Sequence, residues 1–74
     1  MNNFYTTMSR TDKNNLDSKI IYGITAKERQ NGKVVFADYR ISCDFCFVER
    51  LATQFQQGQP TQDEFESIIN KYKI

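Results

Sequence analysis

Two cysteines separated by two residues form the one recognisable chemical motif of this 74-residue chain. They lie in the segment Cys43-Asp44-Phe45-Cys46, at the predicted start of a helix, where the helix dipole lowers the pKa of a thiol and favours redox chemistry. A cysteine pair of this spacing also binds zinc, but a structural zinc site takes four ligands, which would require a second copy of the chain or added carboxylates. We expect small, partly buried, reduced thiols and no metal or other cofactor, and a redox or zinc role of Cys43 and Cys46 is kept as a third hypothesis.

The chain contains no histidine, which removes the usual base for a nucleophilic serine or cysteine. Asp63, Glu64 and Glu66 are candidate acid or base groups. Their place in the first turn of a predicted helix is explained better by the helix dipole. The three glycines stand apart from one another, so the chain has no glycine-rich phosphate loop. We therefore predict a protein that is not an enzyme.

The basic residues favour the first half of the chain, although the net charge is +1. Residues 1–42 carry seven lysines and arginines against four acidic residues, whereas residues 43–74 carry three against five. Basic groups interleaved with aromatic rings on a sheet are typical of surfaces that bind single-stranded RNA. The residues of this RNA-binding alternative are Lys27, Arg29, Lys33 and Arg40. We do not favour it, because the basic excess is small beside most nucleic-acid footprints.

Aromatic residues make up 14% of the sequence, more than one face of a small sheet can bury. Surplus aromatic side chains on a small domain are typical of a surface that binds a protein. Phe36 is expected on the opposite face of its strand from Tyr39 and Ile41, and Phe47 lies outside the apolar stripe of the first helix. The predicted partner-binding residues are Tyr22, Phe36, Tyr39 and Phe47. Scattered surface apolarity is the alternative explanation.

The length of the chain predicts one small domain over residues 1–74, with residues 1–18 either frayed or an edge strand. A hydrophobic content of 39% is too high for a disordered tail and too low for a membrane protein. No signal peptide or membrane-length apolar run is recognisable, so we expect a cytoplasmic protein that does not bind membranes. A core this thin gains from a partner, and we also expect a homodimer.

Three segments have the alternation and the composition of β-strands. They are Phe4–Arg10, Lys19–Arg29 and Val34–Ile41. The dipeptide Asn31-Gly32 predicts a tight hairpin with a type I′ turn between the last two strands. Gly23, inside the second strand, indicates a bulge or a close contact with another element. The alternation leaves open which face of the sheet the helices cover.

Helical periodicity replaces the alternation after residue 44. The first helix is predicted over Phe45–Gln57, with Gly58 as its left-handed C-terminal cap. Thr61 and Glu64 form a capping box that begins a second helix, whose apolar stripe is Phe65, Ile68, Ile69 and Tyr72. Strands followed by helices predict an α+β domain, a three-stranded antiparallel meander followed by two helices packed on one face.

Four short motifs are shared with known sequences. Tyr22-Gly23-Ile24 lies in the second strand, Ile41-Ser42-x-Asp44 joins the last strand to the first helix, and Val48-x-x-Leu51 and Pro60 follow. Over Ile20–Ile74 the chain thereby resembles a family of short, uncharacterised bacterial proteins found mostly in clostridia and their relatives. That family has no assigned activity, and the two cysteines lie outside its pattern. We expect a small non-catalytic protein-binding or regulatory module of bacterial or phage origin, such as a phage-type inhibitor of a host enzyme or defence complex.

Overall fold

The computed structural model describes residues 3–12 and 19–73, and it confirms the predicted α+β architecture. Three strands are followed by two helices, and the strands lie in the order β1-β2-β3 with both neighbouring pairs antiparallel. The elements are β1 (Asn3–Asp12), β2 (Lys19–Glu28), β3 (Val34–Ser42), α1 (Phe45–Gly58) and α2 (Gln62–Asn70). β1 is therefore an edge strand, and residues 1, 2, 13–18 and 74 lie outside the described residues.

The core lies between the two helices and one face of the sheet. Ile24 and Ala26 of β2 are fully buried there, which answers the question that the alternation left open. From α1 and α2, the rings of Phe55 and Phe65 approach to 5.0 Å between centroids. Tyr5 of β1 completes this aromatic cluster, with its ring centroid 5.8 Å from that of Phe55.

Two irregularities in β3 change which of its side chains face the helices. Ala26 pairs with Phe36 whereas Lys27 pairs with Val34, so Val35 is an extra residue. Phe36 consequently packs on the core. Ile41 is also fully buried, because the strand does not alternate regularly near its end. The prediction that Phe36 and Ile41 lie on opposite faces is wrong.

The second irregularity of β3 passes close to Gly23. Tyr22 pairs with Ser42 and Ile24 pairs with Asp38. Gly23 alone therefore lies opposite the three residues 39–41 of β3. A Cβ atom on Gly23 would lie 2.2 Å from the carbonyl oxygen of Asp38. By the alternation of β2 that Cβ would point away from the helices. The predicted close contact at this glycine is confirmed.

The hairpin between β2 and β3 differs from the predicted type I′ turn. Gly32 has a φ of +70°, but Asn31 keeps a negative φ, and a type I′ turn requires positive φ at both central residues. The N–H of Gly32 donates to the carbonyl of Glu28 at 2.9 Å, and the N–H of Glu28 donates to the carbonyl of Lys33 at 2.9 Å. A longer loop therefore closes the hairpin. The Asn31 side chain accepts the Lys33 N–H within it, at 2.9 Å.

The helix ends confirm one prediction and correct another. The capping box is present, because the Thr61 hydroxyl accepts from the Glu64 N–H while the Glu64 carboxylate accepts from the Thr61 N–H. The left-handed cap of α1 is Gln59, with a φ of 48°, and Gly58 is the last helical residue. The prediction of a Gly58 cap is therefore wrong by one residue. The Gln59 side chain hydrogen-bonds to the Asn3 backbone, which holds a non-glycine residue in this conformation.

Candidate protein-interaction surface

The outer edge of β1 presents backbone groups that pair with no other strand. The N–H of Asn3 donates to the side chain of Gln59 at 2.7 Å, and the N–H of Tyr5 donates to that of Gln56 at 2.9 Å. In a strand, alternate residues turn their N–H and C=O to the same side, so Thr7 and Ser9 face the same edge. Within residues 3–12 and 19–73 these outward groups of Thr7 and Ser9 have no hydrogen-bond partner.

Two glutamines from the end of α1 close the first part of that edge. Gln56 accepts the Tyr5 N–H and donates from Nε2 to the Asn3 carbonyl at 3.1 Å, as a neighbouring strand would. Gln59 bonds to both backbone groups of Asn3. The edge is thus closed from Asn3 to Tyr5 and open from Thr7 onward. We call Thr7, Ser9 and Thr11 the open edge.

A cleft of 430 Å³ runs between α1 and residues 4–7 of β1, so it meets the open edge at Thr7. Its walls include Tyr5, Thr7, Phe45, Glu49, Thr53 and Gln56. Of these six residues Glu49 carries a charge, whereas the other five contribute aromatic rings, hydroxyl groups and an amide to the lining of the cleft. The cleft is therefore shaped and lined for contact with another chain more than for acid–base chemistry.

Apolar side chains remain exposed where α1 begins above the sheet. Phe45 is 43% exposed and Ile20 is 49% exposed. The ring of Tyr22 meets that of Phe45 edge-on at 5.2 Å between centroids. Ser9 pairs with Tyr22 and Thr11 pairs with Ile20, so these side chains lie beside the open edge. We call Ile20, Tyr22 and Phe45 the Phe45 patch.

The structure does not bring the four predicted partner-binding aromatic residues into one surface. Tyr22 belongs to the Phe45 patch, whereas Phe36 packs on the core against Phe65, 4.8 Å between ring centroids. Tyr39 is 41% exposed on β3. Phe47 lies edge-on to Tyr72, on the side of α1 that faces the end of the chain.

Sequence reasoning did not name Phe45 or Ile20 among the partner-binding residues. Phe45 continues the helical spacing of the buried residues Val48 and Ala52, and that spacing predicts burial. Ile20 alternates with the buried Ile24 in the same way. No signal in the sequence marks the point where the helices stop covering the sheet.

The basic residues of the RNA-binding alternative are only partly brought together. Lys27, Arg29 and Lys33 lie at the hairpin end of the sheet. The guanidinium of Arg29 lies 6.0 Å from the centroid of the Phe4 ring, within the range of a cation–π contact. Arg40 lies near the other end of β3.

Both cysteines are free and exposed, so the expectation that they are partly buried is wrong. They lie on either side of Asp44, the residue that caps α1, and outside the buried stripe of that helix. The Asp44 carboxylate accepts the Phe47 N–H at 3.2 Å. In the part of the chain that the structure describes, no group of three cysteine, aspartate or glutamate side chains is placed to hold a metal ion.

Among residues 3–12 and 19–73, two side chains have shifted pKa values, and each shift has a structural cause. Burial raises the pKa of the Tyr5 phenol, whose hydroxyl donates to the Pro60 carbonyl at 3.3 Å. Hydrogen bonds from the backbone N–H and the hydroxyl of Thr61 lower the pKa of the Glu64 carboxyl. Both groups stabilise local structure. Of the two helices described, neither is long and apolar enough to span a membrane.

Comparisons with known proteins do not assign a function to this surface. No family model, no curated protein and no solved structure matches the chain. The resemblance to short clostridial proteins stays a prediction. The function proposed below is therefore argued from the geometry of the residues themselves.

Proposed function

We propose that this protein is a small non-catalytic protein-binding module and that a foreign protein docks on the Phe45 patch. The observation that carries this proposal is the exposure of Phe45 and Ile20 beside the partly covered ring of Tyr22. Burying apolar surface stabilises a complex by roughly 25 cal/mol per Å². Large aromatic side chains at the centre of a patch contribute most to such interfaces.

The surroundings of the patch suit binding. The residues next to it on β1 are Ser9 and Thr11, whose hydroxyl groups can donate or accept a hydrogen bond at the rim of an interface. Phe45 begins α1, which is held at this point by the Asp44 cap. A patch on capped and paired elements loses little conformational freedom when it binds.

An inhibitor is the specific form of this proposal that the sequence favours. A phage-type or bacterial inhibitor of a host enzyme or defence complex acts by contact alone, so a patch without catalytic groups is sufficient for it. The cytoplasmic location predicted from the sequence belongs to the same proposal. In that compartment the exposed thiols of Cys43 and Cys46 remain reduced.

The experiment compares two Phe→Ser variants, one inside and one outside the Phe45 patch. Phe45→Ser removes the centre of the patch, and Phe4→Ser removes a similarly exposed ring, 48% against 43%, at the start of β1. Each variant is used to capture proteins from a bacterial lysate, with quantitative mass spectrometry and with circular dichroism as a check of folding. We expect the proteins captured by the wild type to be lost with Phe45→Ser and retained with Phe4→Ser. Equal capture by all three would contradict the proposal.

A second candidate is binding of single-stranded RNA at the hairpin end of the sheet. The observation in its favour is the grouping of Lys27, Arg29 and Lys33 near the ring of Phe4. An aromatic ring beside basic side chains provides stacking and phosphate contacts together. Arg40 would not take part, because it lies near the other end of β3.

A further inference from the structure

We propose that the open edge of β1 binds the open edge of a second copy, so that two sheets join into one six-stranded antiparallel sheet. This inference concerns the backbone edge of β1, whose Ser9 and Thr11 border the Phe45 patch, and it does not depend on the foreign partner. It begins from the outward N–H and C=O groups of Thr7 and Ser9, which an extended backbone would satisfy.

β1 is the edge that can accept another strand. It pairs with β2 residue for residue over all ten positions, so no bulge interrupts its outer edge. β3, the other edge strand, is interrupted at Val35 and again between Asp38 and Ser42. The Asp38 side chain also bonds to the Arg40 N–H and to the Lys73 ammonium, each at 3.0 Å. Bulges and charged groups protect an edge against strand pairing.

The available backbone groups select one register. An antiparallel pairing centred on Ser9 sets Ser9 opposite Ser9 of the second copy, and Thr7 opposite the second copy's Thr11. Each facing pair exchanges two hydrogen bonds in this arrangement. No group already bonded to Gln56 is needed.

Each of the two neighbouring registers contains a conflict. A pairing centred on Met8 sets Thr7 opposite Ser9, but its next pair would set Thr11 opposite Tyr5, whose N–H Gln56 already holds at 2.9 Å. A pairing centred on Arg10 would set two arginines directly opposite each other, and like charges in that position are destabilising. The centre on Ser9 avoids both conflicts, and each Arg10 then lies opposite a Met8.

The cleft beside α1 leaves room for the side chains of the second strand. A two-fold axis perpendicular to the sheet keeps the helices of both copies on the same face. Thr11 of the second copy lies opposite Thr7, so its side chain projects toward the cleft of 430 Å³ that Thr7 lines between β1 and α1. This contact adds buried area to the interface. A short strand pairing alone buries less than the total of about 1,200–2,000 Å² that is usual for stable interfaces.

Cysteine cross-linking tests both the dimer and its register. In a Cys43→Ser, Cys46→Ser background, the Ser9→Cys variant places two thiols in facing positions, with Cα atoms about 5.5 Å apart, a separation that a disulfide spans. Thr7→Cys is the matched control, because two Thr7 residues lie four positions apart along the pairing, roughly 13 Å. We expect mild oxidation to yield a covalent dimer with Ser9→Cys and none with Thr7→Cys. Equal yields, or no cross-link with either, would overturn the proposal.

A second measurement does not use cysteine. The N–H of Ser9 points outward, so Ser9→Pro removes a donor of the interface without removing one from the pairing with β2. Ser9→Ala is the control, because it keeps that N–H. At high micromolar concentration, light scattering should give twice the 8.7 kDa monomer mass for the wild type and for Ser9→Ala, and the monomer mass for Ser9→Pro. A monomeric wild type, including one that instead pairs with an unrelated peptide, would overturn the dimer.

Discussion

Replacing Gly23 with alanine tests the close passage of β3 more directly than any other substitution. The added Cβ would lie 2.2 Å from the carbonyl oxygen of Asp38, and 2.5 Å and 2.7 Å from the Cα and carbonyl carbon of Tyr39. All three atoms belong to the backbone, so no side chain can rotate away. Ordinary contact at about 3.5 Å or more requires β3 to move by roughly 1 Å.

That displacement has a cost that can be estimated. Overpacking in a well-ordered site usually destabilises by about 1–3 kcal/mol. The upper end of this range applies here, because moving Asp38 also weakens its pairing with Ile24. A domain of this size has a free energy of unfolding of roughly 4–11 kcal/mol. We therefore expect Gly23→Ala to remove about 3 kcal/mol and to lower Tm by more than about 10 °C.

The assay is urea unfolding followed by circular dichroism, with Gly58→Ala as the matched control. Gly58 is the last residue of α1, and apart from its chain neighbours and the backbone of its own helix, no atom of the described residues lies within 4 Å of a Cβ added there. Because alanine favours the helix, the control should gain up to about 1 kcal/mol. If Gly23→Ala is as stable as the wild type, β3 does not pass over Gly23 and the reasoning is refuted.

Four further predictions concern pH, RNA and the thiols. Burial raises the pKa of Tyr5, so the stability that the neutral phenol contributes is present below the unfolded pKa of about 10 and is lost as pH rises through the folded pKa. In urea titrations, Tyr5→Phe should therefore lose less stability at alkaline pH than the wild type. Hydrogen bonds from Thr61 lower the pKa of Glu64, so the stability that the Glu64 carboxylate contributes is present above the unfolded pKa of about 4.3 and is lost as pH falls through the folded pKa. Thermal unfolding of Glu64→Gln should show a weaker acid dependence. If the RNA-binding alternative holds, a mobility shift at low salt should disappear when glutamate replaces Lys27, Arg29 and Lys33, and no shift with the wild type would end that alternative. Native mass spectrometry should find neither zinc nor a disulfide at Cys43 and Cys46, and finding either would revive the third hypothesis.

The features that local interactions specify could be predicted from the sequence. The capping box of Thr61 and Glu64 is a contact between residues three apart, and it forms as predicted. The alternation of β2 places Ile24 and Ala26 on one face whatever the rest of the chain does. These predictions succeed because the spacing along the chain alone decides which groups meet.

The structure decided the features that depend on residues distant in the sequence. Phe36 turns to the core because β3 has an extra residue relative to β2, and a single extra residue exchanges the two faces. The cap of α1 moves to Gln59 because its side chain reaches Asn3, 56 residues away. Neither contact has a signature in the sequence near the residue that it affects.

The candidate surfaces divide in the same way. The elements and the surplus of aromatic residues follow from the order and the types of the residues alone. The tertiary structure decided that Phe45 is exposed, because α1 begins where the cover of the sheet ends, and that Gln56 closes one part of the β1 edge while Thr7 and Ser9 stay open. The physical reason is that exposure and hydrogen-bond pairing are set by which elements pack together, whereas periodicity records only which side of one element a residue occupies.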